Sequence, residues 1–427
     1  MNHPSLSRRS FFKLVATAIT AWISNGCRGK AASPASPATA PASPSPSAAA
    51  SPTQTALPTP IPATFTPPPT TTLSPTVTPE PSLTPSPTLT ITPTPQPPTF
   101  TPTPLNPERT VSISQATSYD LKQVRQQVQA ALEGIGGVGD LITPGASVAI
   151  KPNLTGGVWA TGLIDRPPTE SYVTHPAVVQ AVGELLRDAG ASKLYIVEGV
   201  ADDQSYRQWG YEEAAQAMGA TLIDLNQAAP YTSFASVAVG KGWQVYERFA
   251  LHRLLTEVDV FVSVPKLKCH WTCGVTLAMK NLVGIAPIDY YRIKPEDTYR
   301  SSLHGLDKTG KSRIPKVAID LVLARPINLS VIDGIKTVDG GEGPWEELGF
   351  QETNILIAGK NPLAADAVGT AVMGFDPTAE CPDAPFFQTY NHLNIAANVG
   401  IGTNRLDEIT VVGLPVEVVR RPFKPST

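Results

Sequence analysis

The stretch Val258–Pro287, VDVFVSVPKLKCHWTCGVTLAMKNLVGIAP, decides the fold. It opens with a seven-residue run, Val258 to Val264, interrupted only by Asp259 and Ser263. Bounded by Pro265, such a run predicts a buried strand. Lys266, Lys268 and His270 follow at alternate positions, so an extended backbone would aim all three the same way. Trp271–Asn281 then reads as a short helix, with Thr276 and Lys280 on one face and Cys273 and Leu277 close by. Gly284 and Pro287 end it. Three lysines and a histidine thus gather at one strand-to-helix turn, the place where open α/β sheets bind ligands. The competing reading is a solvated basic turn.

The elements on either side set the fold class. Helical and strand-like stretches alternate through the last three quarters of the chain. Val111–Gln115, Ser147–Ile150, Lys193–Val197, Thr221–Asp224, Asn328–Ile332, Asn354–Ala358 and Glu408–Val412 read as strands. Asp120–Glu133, the stretch from Pro176 to Ala189, Tyr206–Met218 and Ile314–Ala324 read as helices. This alternation predicts a three-layer α/β fold, a largely parallel or mixed sheet with helices on both faces. Val237–Val239 and Gln244–Phe249 read as a hairpin around Gly240 and Gly242. Gly134, Gly136 and Gly139 formally fit a dinucleotide-binding GxGxxG. They follow a helix rather than a strand, so they read as a helix stop.

The run PKLKCHWTCGVTLAMKNLVGIAP resembles the signature of the domain of unknown function 362 family: a Pro-Lys-x-Lys-x-His turn, a Thr-Leu-Ala-x-Lys-Asn helix, then Gly. Other matching pieces occur in order: Lys151-Pro152-Asn153-Leu154, Thr174-His175-Pro176, Ile332–Pro344 (IDGIKTVDGGEGP) and Lys360–Thr370 (KNPLAADAVGT). The resemblance spans roughly residues 110–415. It implies an α/β fold and a pocket built from these motifs, and it leaves the reaction open.

Lys268, His270 and Lys280 are the candidate catalytic residues. Lys151, Asn153, His175, Lys266, Asn281, Asp333, Glu342 and Asp366 are the candidate ligand-binding residues. Lysines supply charge, and Asn153 supplies a donor and an acceptor after a buried strand. His175 precedes Pro176 at a helix start, where free N–H groups also meet a ligand. Asp333 and Glu342 would bind a metal or balance the lysines; the alternatives are turn chemistry for Asp333 and solvent exposure for Glu342. Asp366 would sit one turn into its helix, near the positive end. Clustered cations lower one another's pKa values, which would leave one lysine neutral near pH 7 as a nucleophile or base. The polar segment Asp289–Ser312 has the length of a lid or insertion over the pocket, the alternative being a plain surface excursion.

The net charge of −3 provides no global field for nucleic acid. The chain has four cysteines, of which Cys269, Cys273 and Cys381 lie in the globular part, so no four-cysteine run is present to ligate an iron–sulfur cluster. No GxSxG, HExxH or phosphate-loop motif appears.

The amino-terminal quarter has a different composition. Residues 1–27 read as an export signal: Ser7-Arg8-Arg9-Ser10-Phe11-Phe12-Lys13 resembles a twin-arginine motif, and Leu14–Ile23 is an apolar core too short to span a bilayer comfortably. Ser24-Asn25-Gly26-Cys27 resembles a lipobox, with Cys27 as the lipidated residue. Of the 44 prolines, 24 fall in residues 31–110. Residues 28–108 have almost no charge and no apolar periodicity, which predicts a disordered, polyproline-rich stalk. Residues 109–427 form the α/β domain. Two functions compete. One is an enzyme or cofactor-dependent protein acting on an anionic small molecule. The other is a stalked surface lipoprotein that binds such a ligand without chemistry. A weaker third idea is a metal site from His175, His270 and Glu342.

Overall fold

The computed structural model describes residues 106–305 and 313–427. The predicted signal with Cys27, nearly all of the stalk and the last part of the predicted lid lie outside these residues.

Eight strands form one sheet: β1 (Thr110–Gln115), β2 (Ser147–Pro152), β3 (Lys193–Glu198), β4 (Ala220–Asp224), β5 (Val260–Val264), β6 (Leu329–Gly334), β7 (Ile355–Gly359) and β8 (Thr410–Gly413). Their spatial order is β8-β1-β7-β6-β5-β2-β3-β4. β7 runs antiparallel to both of its neighbours, β1 and β6, and every other pairing is parallel. The fold is therefore the three-layer α/β arrangement that the alternation predicts, with one strand reversed.

Strand alternation divides the core. Val260, Val262 and Val264 of β5 face one side with Val148 and Ile150 of β2. Phe261 and Ala149 face the other. The first side is covered by α1 (Leu121–Gly134), α2 (Pro176–Asp188) and α3 (Tyr211–Met218). The second is covered by α4 (Leu277–Lys280), α5 (Ile314–Ala324), α6 (Pro362–Val372) and α7 (His392–Asn398). Burial on both faces is why β5 reads as a near-continuous apolar run. Pro176 and Pro362 each occupy the first helical position, where a missing N–H costs nothing.

The structure corrects three sequence readings. Trp271–Asn281 is not one helix. Cys269–His270 and Gly274–Val275 pair as a two-residue hairpin, and α4 begins only at Leu277 before passing into a 3-10 turn, Asn281–Ile285. The cause is backbone geometry: Gly274 has φ +76 and Leu277 has φ +44, both left-handed. The expected helix over Tyr206–Met218 is split by Gly210, at φ +77, into Ser205–Gln208 and α3. The predicted hairpin forms between Ala235–Ala238 and Arg248–Leu251, a few residues outside its expected bounds.

A methyl group at Gly274 would lie 2.5 Å from the Phe386 ring. Gly274→Ala is expected to lower stability by about 1–3 kcal/mol through overpacking and the left-handed backbone. Gly139 faces open space, so Gly139→Ala should melt like the wild type. Equal melting of the two variants by calorimetry would refute this account of the hairpin.

Candidate functional site

The strand ends place Lys151 beside Ser263, its register partner on β5. Lys151 is fully buried, and burial holds its pKa below the usual lysine range. Its ammonium donates to Glu198 Oε2 at 2.8 Å, to the Pro152 carbonyl at 3.0 Å and to Asn281 Oδ1 at 3.2 Å. Asn281 is the junction. Its Oδ1 also accepts from Asn153 Nδ2 at 3.2 Å, while its own Nδ2 donates to the Lys151 carbonyl and to Ser263 Oγ. One side chain thereby ties the end of α4 to β2 and β5, with both ends of its amide engaged.

Lys266 belongs to a second network. It is fully buried and donates to Asp333 Oδ2 at 2.8 Å, Tyr119 Oη at 2.9 Å and the Thr169 and Lys336 carbonyls at 3.0 Å. Asp333 further accepts from Tyr119 Oη and the His175 backbone N–H. His175 caps α2, its Nδ1 accepting from the Ala177 N–H at 3.1 Å, and its ring stacks on Tyr119 at 3.8 Å between centroids. Burial lowers the His175 imidazole to about 4, so it is neutral at pH 7.

Between the two networks sit Lys268, His270 and Lys280. Lys268 is fully buried, its ammonium held by the Tyr172 and Glu342 carbonyls at 2.7 and 2.6 Å. Burial holds it well below the lysine range. Burial, then Lys280 and Lys268, push His270 well below the imidazole range. Its Nδ1 accepts from the Thr272 N–H at 3.1 Å and lies 3.3 Å from Glu342 Oε2, which in turn takes the Trp271 N–H at 2.7 Å. Lys280 is the exception among these lysines. It is only half-buried, and among the described residues its ammonium has no hydrogen-bond or ion-pair partner. Burial lowers its pKa, and Cys273 and Glu342 oppose that shift.

Asp366 stands apart. Both oxygens accept backbone N–H groups of α4, Ala278 at 2.7 Å and Met279 at 2.9 Å. It lies one turn into α6, as expected, and from there it caps the helix that carries Lys280. Burial raises its carboxyl to about 8. Of the four candidate lysines, Lys151 and Lys266 meet carboxylates and Lys268 meets carbonyls, while Lys280 has no hydrogen-bond or ion-pair partner among the described residues. The suggested metal set does not assemble, because His175 stacks on Tyr119 while His270 sits with Glu342; among the described residues no three His, Cys, Asp or Glu converge.

Several site residues escaped sequence reasoning. Glu198 ends β3 just before Gly199, and a carboxylate at a strand's carboxyl end was the available signal. Arg300 donates to the Gly199 and Gly284 carbonyls at 3.0 Å and to Ala286 O, and its carbonyl faces His304 Nδ1 at 2.9 Å. Both lie in the segment read as a lid. Cys273 and His392 meet at 3.8 Å, Sγ to Nδ1. Burial raises that thiol to about 12 and lowers that imidazole to about 3, so both are neutral. No sequence signal joined residues 119 positions apart. Surface hollows near Leu406 and Val416 lie at the β8 edge, away from every one of these groups.

The family model described as Domain of unknown function (DUF362) matches residues 148–371. The chain belongs to the DUF362 family. Its DUF362 segment begins inside β2, ends inside α6 and contains every candidate site residue except Cys27. A thylakoid-associated protein of Synechocystis sp. is 26% identical over 276 residues, 63% of this chain and 76% of that protein. Two solved structures also align: a Thermotoga maritima protein (TM-score 0.30, 11% identity, 56% of each chain) and the lactate racemase apoprotein of Thermoanaerobacterium thermosaccharolyticum (TM-score 0.35, 14% identity). The latter covers 64% of this chain and 59% of that one, so the chain spans less than two thirds of either solved protein.

The placement of Asp366 has a pH consequence. Its carboxyl ionises near 8 when folded and near the ordinary 3.8 when unfolded. Between those values the folded state binds the extra proton, so stability falls as pH rises. Asp366→Asn keeps one acceptor for the cap and removes the titration. The difference in melting temperature between pH 5 and pH 8 should therefore shrink in that variant. An unchanged difference would exclude this role.

Proposed function

We propose that this DUF362 protein is an exported, lipid-anchored α/β enzyme whose Lys280 centre binds an anionic small molecule and acts on it. The observation that carries the reading is the Lys280 ammonium, which has no hydrogen-bond or ion-pair partner among the described residues and interacts with the charges of Lys151, Lys268, Arg300, Glu198 and Glu342. An uncompensated cation in a low-dielectric surround is costly, and an anion offsets that cost. Release of its proton offsets the cost as well. A lysine lowered in this way holds a larger neutral fraction near pH 7, as a base or nucleophile requires. His270 and His304, both lowered by burial, both feel the Lys280 charge and add neutral hydrogen-bonding groups to its surroundings. The Asp366 cap and the Asn281 junction hold it in place.

Lysine with a depressed folded pKa costs stability while it is charged, below the folded value, and the cost fades as pH rises toward 10.5. Lys280→Met removes the charge at similar volume. It should raise the ligand-free melting point near pH 6, narrow its advantage near pH 10, and abolish the rise in melting temperature that phosphate or a small carboxylate gives the wild type. A Lys280→Met protein still stabilised by those anions would refute the site. Enzyme and plain binder separate on the amine itself: the pH profile of Lys280 acetylation by acetic anhydride, followed by mass spectrometry, should have its midpoint below 10.5. A midpoint at the ordinary lysine value leaves capture without chemistry.

Export and anchoring rest on Arg8-Arg9, Phe11 and Gly26-Cys27. Among the described residues no helix is long and apolar enough to cross a membrane; the proposed attachment is the lipid on Cys27. The thylakoid-associated relative accords with a membrane location. Replacing Arg8 and Arg9 by lysine should hold the precursor in the cytoplasm, and Cys27→Ser should release the exported domain from sedimented membranes. Either variant behaving as wild type would overturn the corresponding half of this assignment.

A further inference from the structure

Two tryptophans lie on the loops that lead away from the lysine centre, outside both of its hydrogen-bond networks. Trp159 is 59% exposed and stacks near-parallel on Trp345, with ring centroids 6.1 Å apart and planes 20° apart. Each is one short loop from the site. Trp159 follows Asn153, which binds Asn281, and Leu154, whose N–H binds Glu198 Oε2 at 3.1 Å. Trp345 follows Glu342, whose carbonyl receives Lys268 and whose carboxylate receives the Trp271 N–H. The two loops leave β2 and β6, the strands on either side of β5, so the indole pair joins the loop that carries Asn153 to the loop that carries Glu342.

Glycines make the pairing possible. A Cβ at Gly343 would lie 2.5 Å from Trp345 Cη2, and one at Gly156 would lie 3.1 Å from Trp345 Cζ3. The glycine-rich loop from Asp339 to Pro344 therefore seats an indole against bare backbone. The Trp159 loop is anchored in turn by the Val158 N–H on Asp202 Oδ2 at 2.7 Å. The result is a braced aromatic platform whose outer ring is left to solvent, and exposed indoles held rigid beside polar groups are characteristic of recognition surfaces.

We propose that the ligand of the Lys280 centre carries a planar aromatic ring beside its anionic group, and that Trp159, backed by Trp345, stacks on that ring. This rests on the anion-binding reading of Lys280 and names the ligand class. Stacking of a ring on an exposed aromatic side chain is worth about tenfold or more in affinity.

The test uses the full-length protein and two anions with one headgroup, methylphosphonate and phenylphosphonate, by titration calorimetry. Phenylphosphonate should bind the wild type about tenfold tighter. Trp159→Ala should erase that advantage and leave methylphosphonate unchanged, Trp159→Phe should restore it, and Lys280→Met should weaken both. Equal binding of the two anions by the wild type would overturn the inference, as would an advantage that survives Trp159→Ala. Cyclohexylphosphonate binding as tightly as phenylphosphonate would also overturn it, because stacking needs a flat ring. If methylphosphonate itself does not bind the wild type, the anion reading fails, and the ring inference with it.

Discussion

Taking a lysine ammonium out of water is the constraint on which this structure depends. Lys151, Lys266 and Lys268 are all fully buried at the carboxyl ends of the central strands. A buried cation is tolerated only where oxygens replace its hydration. Each lysine accordingly gathers its own shell: Glu198 and Asn281 around Lys151, Asp333 and Tyr119 around Lys266, two carbonyls around Lys268. Those partners come from β3, β6, the end of α4 and the loops after β1, β2 and β6. The lysines therefore pin the loops that would otherwise be the most mobile part of a sheet of this kind. Breaking one such pair by removing a partner costs about 3–5 kcal/mol, so the loop ends act as structure.

Against that background Lys280 is distinct. It rides on a four-residue helix, Leu277–Lys280, far too short to hold itself together in water. The helix is suspended from its two ends. Asp366 accepts its first free N–H groups, and Asn281 ties its last turn to Lys151 and Ser263. Both anchors are buried and come from different elements, so Lys280 is positioned by tertiary contacts. The cations that surround it raise the local positive potential, and the neutral imidazoles beside it add hydrogen-bonding groups without adding charge. An ammonium placed in this way costs free energy unless an opposite charge or release of its proton offsets it.

Much of this was legible in the residues. The alternation of strands and helices predicted the layered fold, because periodicity reflects directly which faces are buried. The Pro-Lys-x-Lys-x-His turn pointed to the strand end where the lysines converge, since a buried strand must deliver its succeeding residues to the sheet's edge. The one-helix reading of Trp271–Asn281 failed because Gly274 and Leu277 adopt left-handed backbone, which side-chain spacing does not register. Asp366 was read correctly one turn into its own helix, but its capping of α4 was missed because its partners, Ala278 and Met279, are neighbours only in the fold.

The sequence by itself determined the layers, the strand that carries the motif and the residue types that reach its end. Only the tertiary structure decided which lysine is unengaged. Lys151, Lys266, Lys268 and Lys280 are the same side chain, and nothing in their local sequence distinguishes them. Their difference lies in whether an oxygen distant in sequence arrives within about 3 Å. Glu198 reaches Lys151 across 47 residues, and Asp333 reaches Lys266 across 67. Among the described residues none reaches Lys280. Hydrogen bonding is short-ranged and directional, so only folded coordinates assign it.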